Sequence, residues 1–221
     1  MKDLQRMSIV LCCILIMTVG SSIQAFDCPG EASEGWEDAS DVNGWNGLVG
    51  TTILVHLDGG NPGGYLQTEN DVRVMIASNS PPFSGDYTAG GISEISVDVQ
   101  LISGVDVTYP SLRLRRDYSS NGWIFQFDET LTPDGLWHHF SVPVNSTWTD
   151  QQAQDAGWQP MDTPIVVSFF ETMSNLTELL ISVNGVAIGD VVGFDNVTLS
   201  CPLFADGFES GDLYEWSSSA Y

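Results

Sequence analysis

Three of the six basic residues, Arg113, Arg115 and Arg116, fall within the single run Ser111-Leu112-Arg113-Leu114-Arg115-Arg116-Asp117-Tyr118. In a strand Arg113 and Arg115 share one face and Leu112 and Leu114 the other, so the leucines belong to a core and the guanidinium groups to an open surface. The same alternation in Trp123-Ile124-Phe125-Gln126-Phe127 buries Phe125 and Phe127 and turns Gln126 outward. In Trp137-His138-His139-Phe140-Ser141-Val142, burial of Phe140 and Val142 leaves Trp137 and His139 on the open side. Gathered on one sheet face, Arg113, Arg115, Gln126, Trp137 and His139 would form a groove for a sugar or a peptide. An indole stacks on the apolar face of a sugar ring, and a guanidinium forks onto carboxylates. The competing reading is structural, since scarce arginines in an acidic chain pair readily with neighbouring carboxylates.

Catalytic arrangements are weaker. Glu94, Ser96 and Asp98 project to one face of the segment Ile92–Ile102, but Glu94 and Asp98 stand about 13 Å apart along an extended strand. That exceeds the roughly 5 to 9.5 Å between the acid pair of a glycosidase. No nucleophile elbow, HExxH or paired-histidine metal motif is present, the adjacent His138 and His139 point to opposite faces of a strand, and His56 is isolated. The glycines of Gly59-Gly60-Asn61-Pro62-Gly63-Gly64 read as turn formers without the strand-to-helix setting of a phosphate loop.

The elements that must position these residues are strands. Apolar/polar alternation with β-branched and aromatic residues recurs at Thr51–Leu57, Val72–Ala77, Ile92–Ile102, Leu112–Tyr118, Trp123–Phe127, Trp137–Val144, Ile165–Phe170, Leu179–Val183 and Val191–Leu199, separated by Gly, Pro, Asn and Asp clusters. With no long helices alternating between them, the chain is all-β: an antiparallel β-sandwich, a jelly roll of the galactose-binding or carbohydrate-binding-module kind. One helix is predicted over Thr149–Ala156, capped by Thr149 and ended by Gly157. Trp36, Trp45, Trp123, Trp137, Trp148 and Trp158 fall at element borders, where core packing is the leading role.

Lys2 and Arg6, the apolar run Met7–Val19 and small residues up to Ala25 have the layout of a secretory signal peptide. The apolar run is shorter than the roughly 20 residues of a membrane-spanning helix, so the predicted domains are a signal peptide at 1–25, a β-sandwich at 26–201 and an acidic tail at 202–221. Removing the signal takes Lys2, Arg6 and Asp3 from the six basic and 29 acidic residues, leaving four against 28 and a net charge of −24. Such a field excludes nucleic acid and anionic membrane surfaces as partners. Cys12 and Cys13 leave with the signal, so Cys28 and Cys201 are expected to form a disulfide in an exported protein. An intermolecular bridge is the alternative. The sequons at Asn145, Asn175 and Asn196 would be glycan acceptors only in a eukaryotic secretory pathway. The tail contains Asp206-Gly207-Phe208-Glu209-Ser210-Gly211, similar to short tails that close many secreted bacterial proteins.

Three segments in order, Asn61–Asp71, Leu136–Asp150 and Ser174–Ser200, resemble laminin IV (laminin B) domains over about residues 36 to 200. The flanking cysteine-rich repeats found in laminins are missing, so the resemblance implies an extracellular, non-enzymatic module and names no ligand. Many sandwich modules of related architecture hold a structural Ca²⁺ between an acid near the first strand and the Asp opening the last. The matching positions are Glu37 or Asp38, and Asp195. Carboxylates brought together by adjacent terminal strands would converge on this hard cation, with backbone carbonyls completing its six to eight oxygens. Asp71 and Asp190 are weaker candidates, and turn capping is the competing role for all of them. The expected protein is a secreted, monomeric binding or adhesion module for extracellular carbohydrate or a matrix component. A purely structural surface component is the alternative, and a polysaccharide-acting hydrolase or lyase the second.

Overall fold

The computed structural model describes residues 30–38, 41–48, 50–69, 74–104, 109–117, 121–161, 164 and 166–201. The predicted signal peptide, Cys28, Asp71 and the acidic tail lie outside them.

Fifteen elements follow one another: β1 (Ala32–Glu34), β2 (Trp45–Gly47), β3 (Thr52–Gly60), β4 (Gly63–Glu69), β5 (Val74–Ser78), α1 (Tyr87–Gly90), β6 (Glu94–Ser103), β7 (Tyr109–Arg115), β8 (Gly122–Gln126), β9 (His138–Pro143), α2 (Asp150–Asp155), β10 (Trp158–Pro160), α3 (Phe169–Ser174), β11 (Glu178–Asn184) and β12 (Val191–Ser200). The strands form two six-stranded sheets with antiparallel pairing throughout. Sheet A has the order β3-β4-β12-β6-β9, and its sixth strand, β1, pairs with β12. Sheet B has the order β10-β8-β7-β11-β5-β2.

Between the sheets lies one core. Period-2 alternation supplies it from both sides: Ile95, Val97, Val99 and Leu101 of β6 and Phe140 and Val142 of β9 from sheet A; Leu112 and Leu114 of β7 and Leu179, Ile181 and Val183 of β11 from sheet B. Trp36, Trp45, Trp123 and Trp158 are fully buried in it, and Phe169 meets Trp123 edge-on and Trp158 at a tilt. The inward placement of Leu112, Leu114, Phe140 and Val142 agrees with the sequence reading, as does Gln126 on the outside.

Helix α2 starts where expected, with Thr149 and Gln152 forming a reciprocal capping box. The strand predicted at Ile165–Phe170 is not one. Ile165 lies outside the described residues, and Phe169 opens helix α3 instead. Ser168 caps its N-terminus and Glu171 reaches back to the Ser168 backbone, so a capping box overrides the β propensity of the Val-Val-Ser-Phe-Phe run. The glycine-rich segment read only as turns is a hairpin: Gly63–Glu69 is strand β4, paired with β3 on one edge and β12 on the other.

Strand β12 organises sheet A. Along one edge, Val191–Phe194 pairs with β4 and Val197–Leu199 with β1, while its other edge runs along β6. Between those two halves the register to β6 breaks at Asp195–Thr198, and Asn196 takes a left-handed φ of 48°. The bulge turns Asp195 and Asn196 into the gap between the ends of β1 and β4.

Candidate functional site

The five residues expected on one face are divided between the two sheets. Arg113 and Arg115 project from β7 and Gln126 from β8, all on the outer face of sheet B, whereas His139 belongs to β9 and Trp137 immediately precedes it, on sheet A. Alternation turned each side chain the right way, but β8 and β9 join different sheets, so no groove combines them. On sheet B the polar groups are engaged with one another. Arg115 Nη1 lies 2.5 Å from Oε2 of Glu178, its direct cross-strand neighbour on β11. Gln126 Nε2 donates to the Pro110 carbonyl at 2.9 Å, and the hydroxyls of Ser111 and Ser182 meet at 2.7 Å.

The outer face of sheet A is different in character. At its centre Gly193 of β12 lies between Gln67 of β4 and Gln100 of β6 in register. With no side chain there, the Trp137 indole comes down onto the sheet: a Cβ on Gly193 would stand 2.8 Å from Trp137 Cη2, 3.2 Å from Tyr65 Cδ2 and 3.4 Å from Ile102 Cδ1. The indole meets Tyr65 edge to face, with centroids 5.6 Å apart and planes at 74°. Its Nε1 donates to the carbonyl of Gly59 at 3.2 Å, across the sheet in β3. Tyr65 in turn stacks on His56 at 4.9 Å and 14°. Its hydroxyl donates to Gln67 Oε1 at 3.1 Å, and burial, followed by the nearby Asp58, raises the phenol above its usual pKa. Leu54 and Ile102 add exposed aliphatic surface, being 48% and 37% accessible.

One strand pair away, Asp98 of β6 faces His139 of β9, with Oδ1 2.7 Å from His139 Nδ1. Asp98 Oδ2 accepts from Asn61 Nδ2 at 3.1 Å and from Asn196 Nδ2 at 2.8 Å. His56, Asn61, Tyr65, Gln67, Asp98 and Gln100 did not enter the predicted site. The signal was present, since Tyr65 and Gln67 alternate with Leu66 and Thr68, and Asp98 and Gln100 with Val97, Val99 and Leu101.

Beside this face the predicted metal residues are partly assembled. Asp195 is wholly buried. Its Oδ2 accepts from Asn61 N at 2.5 Å and its Oδ1 from Asn196 N at 2.7 Å. Glu37 Oε2 accepts from Gly64 N at 3.2 Å, and Gly63 is so close that a Cβ would fall on the Glu37 carboxylate. A Cβ on Gly35 would stand 3.5 Å from Asp195 Oδ1, 3.6 Å from Glu37 Oε1 and 3.8 Å from Asn196 Oδ1, so three side-chain oxygens lie around this glycine. Burial pushes the Asp195 carboxyl up to about 6; the Asn61 and Asn196 backbone hydrogen bonds pull it down, and Asp98 and Glu37 push it up. Asp38 is exposed, and its carbonyl accepts from Asp41 N at 3.3 Å. Asp190 serves a turn, its Oδ2 accepting from Ala187 N at 2.6 Å. Among the described residues no three His, Cys, Asp or Glu side chains gather as a metal cage.

No protein-family model matches the chain, and no curated protein matches it in sequence. Solved structures share its fold at low identity. The N-terminal CBM22-1–CBM22-2 tandem domain of Paenibacillus barcinonensis Xyn10C superposes with a TM-score of 0.51 at 13% identity, over 77% of this chain and 50% of that one. An exo-β-agarase does so with a TM-score of 0.51 at 11% identity, over 79% of this chain and 25% of the enzyme. The CBM22-2 xylan-binding domain of the same Paenibacillus protein gives 0.49 at 14% identity, over 77% of this chain and 99% of that one. The likeness is one of fold, and it agrees with the antiparallel jelly-roll sandwich expected from the sequence.

Proposed function

We propose that this chain is a secreted, non-enzymatic module that binds extracellular polysaccharide on the outer face of sheet A. The strongest support is the Trp137 indole seated over Gly193 with Tyr65 beside it and the amides of Gln67 and Gln100 on either side. Aromatic rings take the apolar faces of sugar rings, and primary amides both donate to and accept from hydroxyls. The solved structures of like fold include a xylan-binding domain and a family 11 module in complex with a β-1,3-1,4-mixed-linked tetrasaccharide, which makes those glycans the first probes. Asp195 and Asp98 do not suit acid–base catalysis. The first is fully buried, and both oxygens of the second are occupied by His139, Asn61 and Asn196.

Affinity gel electrophoresis of the purified protein in xylan and in mixed-linked β-glucan tests the proposal. Retention by at least one glycan is expected, with Trp137→Ala and Tyr65→Ala each weakening it at least tenfold, about 1.4 kcal/mol or more. Gln126→Ala on sheet B should leave it unchanged. No retention in any neutral or acidic polysaccharide would overturn the binding reading in favour of a structural surface component. That alternative draws its support from the internally paired groups of sheet B. The kinship with laminin IV domains, export through residues 1–25, a monomeric state and a Cys28–Cys201 bond are parts of the same proposal.

We also infer that Glu37 and Asp195 hold a structural Ca²⁺. The residue types fit a hard cation: Asn196 commits its amide nitrogen to Asp98 and to the Asn61 carbonyl, and its Oδ1 lies by Gly35 as do oxygens of Glu37 and Asp195. Acceptors of like partial charge around one residue repel one another, and a cation among them would offset that repulsion. The bound ion would supply charge neutralisation and crosslink the start of the domain to its last strand. Millimolar calcium should raise Tm over that in chelator by several degrees, and Asp195→Asn or Glu37→Gln should abolish the difference. Equal melting of the unaltered protein with and without chelator would eliminate the site.

A further inference from the structure

The side chain of His139 is 62% exposed, yet one edge of its ring is anchored. Nδ1 lies 2.7 Å from Asp98 Oδ1, and Asp98 itself is only 4% exposed. A carboxylate accepts and does not donate, so this contact is a hydrogen bond when Nδ1 carries a proton. In the neutral ring so anchored, the other nitrogen, Nε2, carries the lone pair, on an exposed residue two positions after Trp137. Asp98 is held in place because its second oxygen accepts from the side-chain amides of Asn61, in the β3–β4 turn, and Asn196, in the β12 bulge. Asn196 sits in the β12 bulge, and its amide also donates to the Asn61 carbonyl. Three hydrogen bonds to one buried carboxylate thus anchor one edge of an exposed imidazole.

We propose that His139 is a specificity-determining residue of the sheet A face and that Asp98 is its positioning residue: the Asp98 carboxylate locks the Nδ1–H tautomer, and Nε2 accepts a hydrogen bond from a sugar hydroxyl. This inference rests on the polysaccharide-binding reading and deepens it. The ring stands where Trp137 and the two glutamines would orient a glycan chain, and a fixed acceptor there discriminates between sugars that differ in a hydroxyl. A site built to pair a hydroxyl rejects the analogue lacking it, because the acceptor is then left without a partner on binding.

The test has two independent parts. In the first, ¹⁵N chemical shifts of the His139 ring are recorded at neutral pH. The Nδ1–H tautomer is expected in the unaltered protein, and loss of that preference in Asp98→Asn. An Nε2–H tautomer in the unaltered protein overturns the proposal without any variant having to fold. In the second, retention in xylan and in mixed-linked β-1,3-1,4-glucan is measured for two substitutions. His139→Gln reaches the position of Nε2 with a carbonyl oxygen and should retain binding within about threefold. His139→Asn reaches only that of Nδ1 and should lose tenfold or more. Equal retention of both variants and the unaltered protein, with Trp137→Ala still defective, overturns this inference and leaves the binding reading intact. No retention of the unaltered protein in these glycans or in any other neutral or acidic polysaccharide overturns both.

Discussion

At the scale of single residues, the site turns on one glycine. Gly193 has an ordinary backbone conformation, so what it contributes is the missing side chain on which the indole rests. A methyl group there meets the far edge of a partly exposed ring, which can move away at little cost to the fold. Gly193→Ala is therefore expected to weaken glycan retention at least tenfold while changing stability by less than about 1 kcal/mol, within roughly 2–4 °C in Tm for a domain of this size. Retention equal to that of the unaltered protein would mean the indole is not the platform. The outward direction of Trp137 and His139 was legible in Trp-His-His-Phe, because Phe140 and Val142 must go inward. Their neighbours were not. Period-2 alternation says which way a side chain points relative to its own strand, but not which sheet that strand joins. Arg113, Arg115 and Gln126 satisfied the same rule on the opposite layer. Glu37 follows β1 and Asp195 lies within β12, and the pairing of those two terminal strands is as the sequence led us to expect. Asn61 and Asn196 were not singled out, since their roles depend on a bulge that no local pattern announces.

At the scale of elements, most strands were visible in the alternation, and the failures have local causes. Strand β4 was hidden by its opening glycines, and β1, β2 and β10 are three residues each, too short to show a period. Helix α3 was mistaken for a strand although Ser168-Phe169-Phe170-Glu171 carries the capping-box spacing. That box anchors Phe169, which packs among Trp123, Trp148 and Trp158 at one end of the core. Ser168→Ala removes the acceptor for Glu171 N and should cost about 1 kcal/mol, lowering Tm by a few degrees without affecting glycan retention. A change in retention would show that α3 communicates with sheet A.

At the scale of the whole molecule, β1 and β12 lie side by side, so the domain starts and finishes in one place. Gly30 N and Cys201 Sγ both reach the carbonyl of Gly90, at 3.2 and 3.4 Å, which brings the chain two residues after Cys28 next to Cys201. A bond between them would close a loop of about 174 residues and stabilise the fold by roughly 5 kcal/mol in the chain-entropy model. Reduction should then lower Tm by on the order of 10 to 20 °C, with an intact-mass shift of two hydrogens as the direct check. A chain that melts identically under reducing conditions would remove the bond from the account. The same architecture sorts the tryptophans. Trp36, Trp45, Trp123 and Trp158 are sealed between the sheets, whereas of the described indoles only Trp137 and Trp148 touch water, and only Trp137 does so on the binding face. The molecule therefore carries its own optical reporter: a glycan settling on sheet A would shield one emitting ring from aqueous quenchers and leave the buried four unaltered, with no label attached.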